Sequence, residues 1–429
     1  MMTLYRSRYV VPVTTAPLEQ GALVVEDGLI VAIGTASDLE ARYPMCHQHD
    51  YGDAILLPAF INAHTHLELS HYPQWAEQWQ HNNPGFVVLD KHSNFTDWII
   101  RLIEIKKNLG FNLQAYQDSW QAGLDQTLAS GTGQCGDIIS VSALTELAAK
   151  HLDGRSFIEV IGQDPDRVNQ QLLQVEQCRQ SWPNSHWGAA PHSPYTLSGE
   201  LLKHSYRVSA AKQLRTTIHI AESADEVAFT CDSSGSIAEQ MYPFVNWQHF
   251  LPEARNVRPL QLLQQVGGLT DSNVLVHGVH LNADEIQQVG AAGCSMVLCP
   301  RSNAKLNVGV APAAQYLQAG VPLALGTDSL ASNDSLSLWH EMAFALNWFN
   351  GDLDPQQLLH MCTRGGAQAL YGAQTQEGQL SVGAPASFQV LQPESLPELN
   401  HIYPFLCQAQ RSDEVQQLVV DGVSRYIVS

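Results

Sequence analysis

The sequence predicts an α/β protein: a (β/α)8 TIM barrel with a small, composite, β-sandwich-like domain built from both termini. Three observations predict it. Eight short apolar runs recur through the middle of the chain, each followed by a polar or Gly-containing turn and then a helical stretch. Both ends read instead as short strands around Asp-Gly turns. The chain has 429 residues, which fits one large domain plus an appendage, or two to three domains.

The N-terminal strands lie in "ALVVEDGLIVAIG", two β-branched-rich runs around Asp27-Gly28. The C-terminal ones lie in "GQLSVGAPASFQVL" and "VQQLVVDGVSRYIVS", the latter with its own Asp421-Gly422. Residues 1–57 and 376–429 are therefore assigned to the small domain and 58–375 to the barrel. The eight barrel runs are 56–66, 130–138, 156–162, 186–193, 216–223, 273–281, 294–303 and 321–329. The second, "SGTGQCGDI", is poor in β-branched residues and is the weakest as a strand. Helices are expected at "TDWIIRLIEIKKNL" and "SLSLWHEMAFALNWF". The Gln-rich "VNQQLLQVEQCRQ" keeps apolar residues at helical spacing, as a solvated helix would.

Composition excludes several functions. Hydrophobic residues make up 45% and no apolar run reaches membrane-spanning length. The start, "MMTLYRSRYVVPV", lacks the pattern of a secretory leader, so a soluble cytoplasmic protein is expected. A formal net charge of −20 argues against nucleic acid or an anionic membrane as a partner. The eight cysteines form no CxxC pair and read as buried thiols in a reducing compartment.

The chemistry sits at the ends of the predicted strands. In "INAHTHLELS", His64 and His66 are two apart, so on a strand both project to one face. Two such imidazoles can grip a borderline metal, or be surface or backbone-satisfied histidines. The rest of the chain decides. His192 ends the fourth run, His219 the fifth, His277 the sixth and Asp328 the eighth. In such a barrel these ends converge on one mouth, giving nitrogen and oxygen ligation of the kind zinc takes.

The elements "NAHTHLELS", "APHSPYTLS", "IHIAES", "LVHGVHL", "LCPRSNAKL" and "LGTDSLASNDSLSLWHEM" span residues 62–342 in order. Together they resemble the amidohydrolase superfamily, in the branch of cytosine deaminase, adenosine-type deaminases and chlorotriazine hydrolases. "HTHLEL" followed by "FTDWIIRLIEIKK" is similar to the subgroup containing aminodeoxyfutalosine deaminases. One departure is Ser387, where the C-terminal turn usually carries an acidic residue.

The resemblance implies that His64, His66, His219 and Asp328 bind one divalent metal, zinc or iron. The fourth strand lacks the bridging lysine of binuclear relatives, which implies a mononuclear site. It also implies catalytic roles for Glu222, His277 and Asp328. Metal-bound hydroxide would attack the substrate, with Asp328 accepting a proton and His277 orienting the water. Glu222 would shuttle the proton to a ring nitrogen and to departing ammonia; it also reads as a helix N-terminal carboxylate. His192 is expected to contact substrate or to bond backbone. Glu68 reaches the substrate or caps the first loop, and Ser302 and Asn303 are expected at the substrate or shaping the loop after the seventh strand. Arg301 binds an anionic substituent or makes a surface ion pair. Ser332 and Asn333 hold the turn after Asp328, and His280 is structural. The long insertion after strand one brings Trp75, Trp79, Phe86 and Trp98, which line a planar substrate or pack the loop.

The expected activity is deamination of an amino-substituted heterocycle, purine-like or a nucleoside, with substrate and water as small-molecule partners and a homodimer as family precedent. Two alternatives stand beside it. The same apparatus can cleave another C–N or C–Cl bond, as in chlorotriazines, amides or amidines. A non-catalytic scaffold of this fold is the third, although such relatives lose the metal ligands that this chain retains.

Overall fold

The computed structural model describes residues 2–83, 94–108, 110 and 112–428. Eight strands form the barrel: β1 (Phe60–Thr65), β2 (Thr132–Ile139), β3 (Gly154–Val160), β4 (His186–Pro191), β5 (Thr216–Ile220), β6 (Asn273–His277), β7 (Ser295–Leu298) and β8 (Leu323–Leu325). Each pairs in parallel with the next. The seam between first and last is closed by a parallel bridge of Thr65 with Asp328, in which the Asp328 amide donates to the His64 carbonyl at 3.1 Å. All eight expected runs overlap a barrel strand, six of them enclosing it; the second strand runs one residue past its run and the third begins two residues before its own.

β2 forms despite its glycines, and the packing explains them. A Cβ on Gly136 would lie 2.5 Å from the Ala63 carbonyl oxygen of β1, and one on Gly133 would lie 2.9 Å from a Val420 methyl. Close approach of neighbouring backbone and of the outer sheet requires the missing side chains. All eight residues of β2 are buried, so tertiary packing overrides its poor propensity.

The helices follow the sequence periodicities. Phe95–Asn108 and Leu338–Trp348 form where expected. Helix Pro165–Ser181 buries Val168, Leu172, Val175 and Cys178, one stripe at 3.6-residue spacing, while Gln170, Gln177 and Gln180 are exposed. Phe86 lies outside the described residues.

The second sheet interleaves both ends of the chain. Its order is Val423–Ile427, Val415–Val420, Phe388–Leu391, Ile55–Pro58, Thr3–Val10, Leu18–Glu26 and Leu29–Thr35, with His47–Asp50 beside Thr3–Val10. The C-terminal strand Phe388–Leu391 pairs antiparallel with Ile55–Pro58, which leads into β1. Both Asp-Gly hairpins form with positive φ at the two turn residues, 50° and 79° at Asp27-Gly28 and 51° and 78° at Asp421-Gly422. The sheet is apolar on both faces. Leu23, Val25 and Phe388 pack on one, while Ala22, Val24 and Ala32 meet helix Ala36–Arg42 on the other. All eight cysteines are unpaired, and no helix among the described residues is long and apolar enough to cross a membrane.

Candidate active site

The strand ends converge as parallel strands in a barrel must. His64 lies in β1, His66 just beyond it, His219 in β5, and Asp328 follows β8. His64 Nε2 is 3.2 Å from His219 Nε2 and 3.7 Å from Asp328 Oδ1; His66 Nε2 is 3.6 Å from the same oxygen. Four donor atoms, one from each residue, all lie within 4.8 Å of one another. Zinc–nitrogen bonds of about 2.0–2.1 Å place tetrahedral ligand atoms about 3.4 Å apart. The spacing therefore fits a single metal ion, and so does the chemistry of the donors. Burial holds the His66 and His219 imidazoles well below their usual pKa, so they offer lone pairs. Burial works against charge on Asp328, but the hydrogen bond with His64 and the other imidazoles outweigh it and keep the carboxyl well below its usual range.

A second set of residues aims these donors. His219 Nδ1 is 2.8 Å from the His192 carbonyl and must donate to it, leaving Nε2 as the free lone pair. Asp328 Oδ2 accepts from Ser302 Oγ at 2.8 Å and Ser332 Oγ at 2.5 Å, which turns Oδ1 toward the histidines. The Leu67 amide, next to His66, donates to buried Asp137, which also accepts from Trp120 Nε1. Asn62 ties β1 to β8 by donating to the Thr327 hydroxyl at 2.7 Å. Asp328, with φ 55°, and His277, with φ 72°, both sit in the left-handed region at strand ends, a strained geometry that clusters at functional sites.

His277 and Glu222 stand beside this group. His277 Nδ1 is 2.9 Å from Asn303 Oδ1, so Nδ1 carries the proton. Its Nε2 has no hydrogen-bond partner among the described residues and lies 3.6 Å from Glu222 Oε1. Burial lowers His277 to about 4 and raises Glu222 well above the carboxylate range, the latter helped by Asp328 and Glu226. These shifts favour a neutral imidazole at His277 and a protonated carboxyl at Glu222. Helix Ala224–Asp232 is capped by Ser223 and carries Asp225 and Glu226 in its first turn, so the helix-end reading of Glu222 belongs to those residues. Glu226 takes the Ala221 and Glu222 amides at 2.7 and 2.9 Å and fixes the turn that presents Glu222.

A cavity of about 170 Å³ joins these groups; His66, His192, His219, Glu222, His277 and Asp328 line it. His192 meets it with its ring, while its Nδ1 bonds the Ser193 and Thr196 hydroxyls rather than backbone. Glu68 lines the cavity but is occupied by the Ser140 and Val141 amides. Ser302 and Asn303, expected at the substrate or shaping the loop after the seventh strand, are buried behind the wall with their side chains committed to Asp328 and His277. They position catalytic candidates and do not line the cavity.

Arg301 is held by Asn333, Asp334 and Glu341, not by the cavity. Asn333 holds the turn through the Thr327 carbonyl at 2.8 Å, and His280 bonds the Val308 carbonyl. Of the insertion's tryptophans, Trp98 lines the cavity and donates to the Ala331 carbonyl; Trp75 packs on Tyr116. Sequence reasoning missed Lys106, Glu159, Asp137 and Glu226. Glu159 and Asp137 carried a signal, a carboxylate inside an otherwise apolar strand.

A parallel barrel with three imidazoles and a carboxylate gathered at its mouth defines a metal-dependent hydrolase. The chain belongs to the amidohydrolase family: a family model described as "Amidohydrolase family" matches residues 55–424. A second, "Imidazolonepropionase-like composite domain, bacteria", matches residues 21–44 of the outer sheet. The chain is 29% identical to the aminodeoxyfutalosine deaminase of Deinococcus radiodurans, over 82% of each chain. It is 28% identical to a 5-methylthioadenosine/S-adenosylhomocysteine deaminase of Nitratidesulfovibrio vulgaris, over 95% of this chain and 88% of that one. A zinc-bound adenosine deaminase from Xanthomonas campestris shares the fold, with a TM-score of 0.80 at 23% identity over 99% of this chain and 93% of that one.

Proposed function

We propose that this chain deaminates an amino-substituted purine nucleoside, using zinc held by His64, His66, His219 and Asp328. The observation that carries the reading is Glu222 Oε1 standing 3.6 Å from the His277 Nε2 that has no hydrogen-bond partner among the described residues, beside that metal group. The deaminase relatives, named for nucleoside substrates, and the zinc in the adenosine deaminase of like fold support the choice of substrate and metal.

When bound, the metal supplies a water whose pKa is lowered towards about 7. His277, locked by Asn303, accepts a hydrogen bond at Nε2 and orients the attacking water. Asp328, pinned by two serine hydroxyls, takes a proton without swinging away. Glu222 gives its proton to the ring nitrogen next to the carbon under attack and relays another to the leaving amine. The water oxygen stays on the ring, the exocyclic C–N bond breaks, and the two water protons end on the ring nitrogen and on ammonia. His192 contacts the substrate from the cavity wall. The eight unpaired cysteines support the cytoplasm as its compartment.

An ammonia-release screen of the zinc-loaded protein tests the reading. Adenosine, methylthioadenosine, S-adenosylhomocysteine and aminodeoxyfutalosine should include a substrate, with guanine, cytosine and a chlorotriazine as controls. No ammonia from any nucleoside, or halide released from the chlorotriazine in its place, overturns it.

A further inference from the structure

The same cavity has a second polar wall that the chemistry above does not use. Lys106 enters it from helix Phe95–Asn108, Glu68 and Ser140 from the turns after β1 and β2, and Glu159 from β3. Glu68 is committed to the Ser140 amide at 3.0 Å, the Ser140 hydroxyl and the Val141 amide at 3.2 Å. Lys106 Nζ donates to Ser140 Oγ at 3.2 Å and stands 3.6 Å from Glu68. Burial opposes its charge, but the Glu68 carboxylate and its neighbours outweigh burial and keep the ammonium protonated.

Glu159 differs from these. Among the described residues no hydrogen bond reaches its side chain, although it lines the cavity beside Ile161 and Ile103. Burial raises its carboxyl to about 7, with Lys106 pulling the other way. Glu159 is half-buried, and a carboxyl that faces a cavity with no hydrogen bond from the protein is the kind of group a ligand satisfies. The charges on the wall limit which ligand. A ligand carboxylate or phosphate would meet Glu68 and Glu159, and a ligand ammonium would meet Lys106. A neutral group that both donates and accepts suits the pair.

We propose that Glu159 and Lys106 form a subsite for adjacent sugar hydroxyls of the substrate, Glu159 accepting from one and Lys106 donating to its neighbour. This rests on the nucleoside reading and makes the sugar a determinant of specificity. A site built to bond hydroxyls leaves its own polar groups unpaired when they are missing, so the analogue without them is rejected.

The test compares adenosine with 2′,3′-dideoxyadenosine. The parent should favour adenosine in kcat/KM by about 10- to 100-fold. Glu159→Leu should remove most of that preference by lowering the adenosine value alone, and Glu159→Gln, which keeps one acceptor oxygen, should fall between. Equal values in the parent, or equal losses on both nucleosides in Glu159→Leu, overturn the subsite. Calorimetry in a Glu222→Gln background reads binding without turnover. An adenosine preference lost on adding Glu159→Leu supports the subsite even if no ammonia ever forms, an outcome that would instead overturn deamination. Equal affinities, or no binding of either, overturn the subsite.

Discussion

Asn303→Leu isolates the orientation of His277. Leucine has the same branched skeleton of four heavy side-chain atoms as asparagine but is apolar, so the acceptor 2.9 Å from His277 Nδ1 is lost with little change of shape. Both residues are buried, with 1% of each exposed, so water does not readily replace that acceptor. An unsatisfied buried donor costs about 1–3 kcal/mol. The imidazole escapes that cost by moving its proton to Nε2, the nitrogen 3.6 Å from Glu222, and so presents a donor where an acceptor is needed. Because RT is about 0.6 kcal/mol, kcat should drop by about 5- to 150-fold. His277 is not one of the four metal-binding residues, so zinc content should stay at the parent level. Steady-state kinetics, metal analysis and thermal unfolding on one preparation give the answer. A kcat within twofold of the parent alongside a lowered Tm would mean that Asn303 only stabilises the fold, and the tautomer reasoning would be wrong.

Three further perturbations bear on the site. Glu222→Gln should lower kcat by about 10²- to 10⁴-fold; because burial raises this carboxyl, the parent's rate should fall as pH rises past its pKa, and that alkaline limb should vanish in the variant. Persistence of the limb in Glu222→Gln would assign it elsewhere. Ser302→Ala with Ser332→Ala should weaken zinc binding by about 10- to 100-fold by freeing Asp328, read by competition with a chelating dye; unchanged affinity refutes their role. Glu226, raised by burial from 4.5 to about 7, keeps its proton in the folded state while the unfolded chain loses it, so its contribution to stability shrinks as pH rises between those values. The change is about 3 kcal/mol at 1.36 kcal/mol per unit. The stability gap between the parent and Glu226→Gln should narrow by that amount from pH 4.5 to 7.5 in denaturant titrations, and a constant gap counts against it.

Much of the barrel was legible because a strand end is a local feature. An apolar run that stops at His219 or Asp328 marks a face and a terminus together, and parallel pairing supplies the convergence. The direction of side chains in the turns beyond was not legible. Ser302 and Asn303 follow β7 in sequence as a substrate loop would, yet helix Pro300–Lys305 turns both inward against Asp328 and His277. Lys106 gave no sign of entering the cavity, since "EIKK" near the end of an amphipathic helix reads as solvated charge. Only the packing of that helix across the barrel mouth places it against Glu68. Gly133 and Gly136 show the reverse, where poor strand propensity was itself the trace of close packing.

The seam of the barrel has a bearing on how the protein matures. The bridge of Thr65 with Asp328 joins segments more than 260 residues apart, and the flanking His64, His66 and Asp328 are three of the four metal donors. A ribosome must make about three quarters of the chain before the fourth donor, Asp328, exists. Capture by all four donors needs the eighth strand in place, and an ion held there would bridge the joint between the first and last strands. Stripping it out should unlatch the cylinder first at this junction.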